Sequence, residues 1–260
     1  MITMLFDTET TGLNPETDLA FENGVILWDS ETNKTKEFNQ LINWKKIYDK
    51  FTTEPTYHVH HISDERVEKE GLHPLDSYSQ FYKTIVDFGH IDILCAFNIA
   101  FDLNFYIANL KCLISYYSKN QEEDEEILNK LDDCENLLKM LTSRDDHLVY
   151  DCMLYDRLYH FEVDYVKVKH NLNDVGLRYN IPEDPNAHNA LADTRRTFKI
   201  YQIQLKELYE NDVDVDKHLE FRFEKQYARD KAKYAASKKK NNKDLDYFGI
   251  GINETKYNGR

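Results

Sequence analysis

Near its N-terminus the chain carries Asp7-Thr8-Glu9-Thr10-Thr11-Gly12-Leu13, directly after the short apolar run 2–6. If that run continues as a strand, residues two apart project from one side, so the carboxylates of Asp7 and Glu9 can share a hard divalent cation. An ordinary acidic turn contains the same two residues, and the pair alone does not separate the readings. A second stretch, Tyr57-His58-Val59-His60-His61-Ile62-Ser63, has the look of a metal cluster. His58 and His60 alternate as on an extended segment, and the stretch is not read as a zinc site.

Two further segments extend the acidic pattern. Ala96-Phe97-Asn98-Ile99-Ala100-Phe101-Asp102 places one Asp where a strand gives way to a helix. His188-Asn189-Ala190-Leu191-Ala192-Asp193 sets a His five residues before an Asp at a helix start. In this order the three motifs resemble those of the DEDD 3′→5′ exonucleases, the DnaQ-like family that includes bacterial proofreading epsilon subunits. The resemblance covers roughly residues 1–209. His188 places the chain with the histidine branch, DEDDh, whose general base is His.

The resemblance implies a ribonuclease-H-like fold, an α/β arrangement with a mixed five-stranded sheet flanked by helices. Pattern reading by itself stops at α/β. Four acids packed together repel one another and call for cations. From the family, Asp7, Glu9, Asp102 and Asp193 are expected to hold two divalent metal ions, Mg²⁺ or Mn²⁺. Asp7 bridges both, Glu9 and Asp193 favour the nucleophile side, and Asp102 serves the leaving-group side mainly through water. His188, with an ordinary pKa of about 6.5, takes the proton of the attacking water.

Substrate-binding candidates are Thr8, Thr10, Gly12, Leu13, Asn98 and Phe101, with Leu13 as an apolar wedge against the last base. The TTGL string is more like the DNA-directed members. The expected activity is release of nucleoside 5′-monophosphates from a DNA 3′ end, in proofreading, repair or DNA degradation. The expected partner is single-stranded DNA, with a DNA polymerase or another replication protein as a further one. An exoribonuclease of the same branch stays open, because a 2′-OH contact is not legible in sequence. A catalytically silent polymerase- or 3′-end-binding module is disfavoured, since all five expected catalytic positions are filled. In the family's terms His61 stands where Gly is usual, and Asp151-Cys152 replaces an Asp-Thr at a strand end; Asp151 is read as structural.

These motifs need elements to position them. Residues 24–28 (GVILW) pair with 2–6 as a hairpin, and 35–43 offer a weaker third strand. A polar helix around 78–88, a buried run 93–97 and a helix-length segment 101–113 follow, and a short strand 148–150 leads to Asp151. Residues 171–179 read as a helix capped by Asn171, and 190–209 as a long amphipathic helix. Between 119 and 146 stand ten acidic residues against four basic ones. Ile127, Leu131, Cys134, Leu138 and Leu141 nevertheless recur there at helical spacing, so this is an inserted acidic helix with one apolar stripe. The stripe is expected to pack on the core, with a protein-binding face as the alternative.

The 260 residues suit one medium domain with an appendage, or two small domains. The formal charge of −14 argues, as a bulk number, against nucleic acid. It is unevenly placed: residues 217–260 hold 12 basic and 6 acidic residues, a net +6, leaving −20 on residues 1–216. Part of the −20 is the acidic cluster and much of the rest the inserted helix, so net charge does not exclude DNA. The expected division is an exonuclease domain at 1–210 and a basic, partly flexible C-terminal extension at 211–260. No apolar run approaches the roughly 18 to 20 residues of a membrane span, and no signal-peptide pattern precedes the first acids, so the chain reads as cytoplasmic. Cys95, Cys112, Cys134 and Cys152 form no CxxC pair and read as reduced and structural.

Overall fold

The computed structural model describes residues 1–120, 124–143, 146–160, 162–163, 166–182 and 189–210. Strand β1 (Ile2–Thr10) runs antiparallel to β2 (Ala20–Asp29), and β2 antiparallel to β3 (Thr35–Leu41). On the other side of β1, β4 (Ile93–Ala96) and β5 (Leu148–Asp151) add in parallel. The result is a five-stranded mixed sheet in the order β3-β2-β1-β4-β5. The short helices α1 (Tyr57–His60) and α2 (Asp64–Glu70) precede α3 (Pro74–Phe88), α4 (Ile99–Lys119) and α5 (Glu125–Thr142). After β5 come α6 (Cys152–Tyr159), the two-residue strands β6 (Glu162–Val163) and β7 (Val166–Lys167), α7 (Leu172–Arg178) and α8 (Ala190–Glu210).

β1 is central and covered on both faces, so its burial is nearly continuous. Alternation along it assigns the faces. Phe6 meets Tyr106 of α4 edge-on, with ring centroids 5.5 Å apart. Leu5 packs in the opposite layer with Ile200 and Tyr201 of α8, and the Thr3 hydroxyl lies 3.4 Å from that of Tyr201. Each fully buried side chain of this size contributes roughly 1.5–3 kcal/mol. β1, β4 and β5 all end on the same edge of the sheet, where loops of α/β proteins assemble their sites.

β2 is longer than the apolar run 24–28 implied, because it begins at Ala20 and carries Glu22 and Asn23, both fully buried. The segment around His58 and His60 is not extended: residues 57–60 form one helical turn, closed by His61 at φ +56. This left-handed position suits Gly, which accounts for the departure noted at His61. α3 starts four residues earlier than expected, with Pro74 in its first turn and the His73 ring accepting from the Leu75 amide. α5 buries Cys134, Leu137 and Leu141 and packs against α3 and α4. The stripe therefore serves the core, with Leu137 buried where Leu138 was expected and Leu131 and Leu138 half-buried.

All four cysteines are free; Cys95 and Cys152 place their sulfurs 3.7 Å apart in the buried layer under α8. No described helix is long and apolar enough to cross a membrane. The expected boundary near 211 and the basic extension lie outside the described residues.

Candidate active site

The same alternation divides the first motif between two faces. Asp7 and Glu9 share the side of Thr3 and Leu5 and so face α8, whose first turn carries Asp193. One carboxylate oxygen from each of Asp7, Glu9 and Asp193 lies within 4.8 Å of the others. Thr8 faces α4 instead. Its amide (3.0 Å) and hydroxyl (2.8 Å) both donate to Oδ1 of Asp102, in the first turn of α4. Thr8, expected to touch substrate, is thus buried and spent on orienting Asp102. Asp102 stands outside the three-acid triangle, yet close enough for its charge to act on Asp7.

Electrostatics make this cluster costly as it stands. Burial first, then the charges of Asp102, Glu9 and Asp193, push the Asp7 carboxyl well above the usual carboxylate range. Glu9 is raised by burial and by Glu22, Asp193 and Asp102. Burial raises Asp102 to about 7, against the lowering effect of the two Thr8 hydrogen bonds. Among the described residues no Lys or Arg forms an ion pair with Asp7, Glu9 or Asp102. Hard oxygen donors, converging and mutually repelling, are the set that a divalent cation relieves.

The second motif is positioned by backbone geometry. Asn98 sits at φ +68 immediately before α4, and its amide donates to Oδ1 of Asp151 at 3.1 Å. The same oxygen caps α6 through the amides of Met153 and Leu154. Asp151 therefore does the structural work expected of it, joining the end of β5 to the start of the helix that carries Asp102. Non-glycine residues other than Asn and Asp pay about 1–2 kcal/mol for the left-handed conformation. Asn98→Ala is expected to lose that much in urea denaturation and Asn98→Gly much less; equal losses would refute the conformational account.

The turn after β1 is built on side-chain bonds. The Thr10 hydroxyl donates to the Gly12 carbonyl (2.7 Å), and a Cβ on Gly12 would sit 2.3 Å from the Asp18 carboxylate. Leu13 is 83% exposed at the tip, free to meet a ligand. Phe101 packs against Phe105 with centroids 4.9 Å apart and stays half-buried beside Asn98. His60 underlies the turn: its Nε2 lies 3.0 Å from the Thr56 hydroxyl, which donates to the Thr10 carbonyl (2.7 Å), and its Nδ1 accepts from Ile62. Burial holds this ring at about 4, so it is neutral and committed to hydrogen bonds, not to zinc. His188 lies outside the described residues.

One participant escaped the motif reading. Glu22 of β2 pairs across the strands with Glu9 and is fully buried. Asn189 and Ala190 donate to its carboxylate at 2.6 and 3.0 Å. The available signal was the pair Glu22-Asn23 inside a mainly apolar stretch, AFENGVILW, which polarity alone assigns to a loop.

The family model described as RNase_T, Exonuclease, matches residues 4–201, a span that contains every acid of the cluster. The chain belongs to this exonuclease family. Its sheet and helix layers are those of the ribonuclease-H-like exonuclease fold. Exonuclease I from E. coli, in a structure with a bound oligonucleotide, superposes with a TM-score of 0.53 at 15% identity over 81% of this chain and 43% of that one. Exonuclease I from Methylocaldum szegediense gives 0.51 at 17% identity, over 78% and 40%. Cell-death related nuclease 4 (CRN-4) gives 0.56 at 14% identity, over 79% and 64%. This exonuclease chain thus spans about two-fifths of the length of the exonuclease I chains. No curated protein matches it in sequence. The likeness to proofreading epsilon subunits narrows to the family, with none of these neighbours an epsilon subunit.

Proposed function

We propose that this chain is a divalent-metal-dependent 3′→5′ exonuclease that removes nucleoside 5′-monophosphates from single-stranded DNA. The observation that carries the reading is the convergence of Asp7, Glu9 and Asp193 within 4.8 Å, with Asp102 beside them. Two ions, Mg²⁺ or Mn²⁺, suit this all-oxygen set, and when bound they supply an activated water and charge stabilisation at the departing 3′ oxygen. Asp7, Glu9 and Asp193 hold one side of the centre. Asp102, locked by Thr8, is presented from the other. His188 accepts the proton of the attacking water, a role taken from the family motif. Leu13 meets the terminal base, and Thr10 and Gly12 shape the turn that presents it, while Asn98 and Phe101 form the opposite wall. DNA is favoured by the TTGL string and by the oligo-dT and oligo-dA bound in exonuclease I structures of the same fold. A polymerase or replication partner draws on the family resemblance alone.

The test is an end-labelled strand incubated with and without Mn²⁺ or Mg²⁺. Mononucleotide release from the 3′ label only, abolished by chelator, is the expected result. Release from the 5′ end, or activity undiminished in chelator, would overturn the assignment. Faster digestion of RNA than of DNA of equal sequence would move the substrate to RNA, and binding of a 3′ end without cleavage would mark a silent module.

A further inference from the structure

Asp193 must reach Asp7 and Glu9 across a long stretch of chain, and β2 supplies the seat that brings it there. Glu9 and Glu22 are cross-strand partners, as are Asp7 and Gly24, so Glu22 and Gly24 face α8 together with the first-motif acids. The Glu22 carboxylate is 0% exposed and takes two donors from the start of α8, the Asn189 side-chain amide and the Ala190 backbone amide. A carboxylate there also complements the positive end of the helix dipole. Asn189 is the cap of α8: its side-chain oxygen accepts from the Ala192 amide (3.3 Å) and its carbonyl from the amide of Asp193 itself (3.1 Å). Gly24 lets the helix descend onto the strand, because a Cβ there would lie 2.2 Å from the Ala190 backbone. Thr194 closes the seat by donating to the carbonyls of Gly24 (3.0 Å) and Ala190 (2.7 Å).

We infer that Glu22, through Asn189 and Ala190, is a positioning residue that sets the placement of Asp193 against Asp7 and Glu9, with Gly24 and Thr194 completing the same seat. The inference rests on the proposed exonuclease reading and deepens it. Loss of a residue that orients metal ligands typically costs 10- to 100-fold in metal affinity or activity.

Full-length wild-type, Glu22→Ala, Glu22→Gln and Thr194→Val proteins are compared by calorimetric Mn²⁺ titration and by steady-state 3′-end cleavage. Glu22→Ala is expected to weaken Mn²⁺ binding about 10- to 100-fold and to lower kcat by a similar factor, with KM within about threefold. Glu22→Gln keeps one acceptor oxygen for the Ala190 amide but gives up the Asn189 contact, whose side-chain oxygen stays with Ala192, so it is expected to recover part of both. Thr194→Val is expected to show a smaller loss in the same direction. Wild-type affinity and kcat in Glu22→Ala, or a Gln variant as impaired as the Ala variant, would overturn the seat. If Glu22→Ala does not fold, a Glu22→Gln variant that retains part of both together with a Thr194→Val variant of lowered Mn²⁺ affinity supports the seat; a Thr194→Val variant equal to wild type overturns it. A wild-type protein that neither binds Mn²⁺ nor cleaves would instead remove the parent reading, an outcome distinct from the others.

Discussion

Replacement of Asp7 by Asn is expected to reduce 3′-end hydrolysis by at least about 10³-fold, since on the proposed reading Asp7 would hold the metal that supplies several kcal/mol of stabilisation. In metal-free buffer the same change is expected to make the protein more stable. Asp7, Glu9 and Asp102 all titrate above the ordinary carboxylate range through burial and mutual repulsion, Asp102 at about 7. A carboxyl whose folded pKa is raised binds its proton more tightly in the folded chain than in the unfolded one. Its ionisation therefore opposes folding, and stability declines as pH rises from about 4 through 7. Removing one of these charges lifts part of that penalty, on the order of 2 kcal/mol, or about 4–8 °C in Tm for a domain of this size. The advantage should shrink at pH 5, where Asp102, at about 7, is largely protonated. It should reverse in saturating Mn²⁺, which stabilises only a chain that binds it. Thermal melts of both proteins at pH 5 and 8, in chelator and in Mn²⁺, check all of this. An Asn variant less stable than wild type at pH 8 in chelator would show that the cluster is not electrostatically strained.

The second large effect lies away from the centre. Asp156 of α6 is 0% exposed, and its Oδ2 accepts from His170 Nδ1 at 2.5 Å and from Arg178 of α7. Arg178 also donates to the Lys169 carbonyl at 2.7 Å, so one carboxylate ties α6 to α7 and to the chain leading into it. Both helices pack on α8. Asp156→Ala leaves Arg178 and His170 without their anion, and because both keep some contact with water the loss falls at the low end of the range for buried pairs, about 3 kcal/mol. The expected Tm loss is about 6–12 °C, with a lower urea midpoint and little change in kcat at temperatures where the variant stays folded. A loss below about 1 kcal/mol would mean that water replaces the carboxylate freely.

What the residue pattern conveyed, and what it withheld, follows from the range of the forces involved. Asn171 is legible as a helix cap because capping acts over three residues, and its side chain does accept from the Asp174 amide. The spacing of Cys134 and Leu141 is legible because helix periodicity is local. Glu22 was not legible. A buried carboxylate in a strand is tolerated because partners reach it from other segments, two of the donors from residues more than 160 positions later. His60 misled for a related reason, since its partner Thr56 is tied in turn to the Thr10 carbonyl of a remote strand.

By itself, the sequence determined that Asp7 and Glu9 lie on one face of a strand, that Asp102 and Asp193 stand in the first turns of helices, and that the family is an exonuclease family. These depend on two-residue and 3.6-residue periods and on motif order. Only the tertiary structure decided which acids meet. Strand alternation sends Thr8 to Asp102 on one face and leaves Asp7 and Glu9 for Asp193 on the other, and cross-strand register puts Glu22 and Gly24 beneath the helix that delivers it. The physical reason is that helix docking onto a sheet is settled by register and close approach between segments remote in sequence, which no local period encodes.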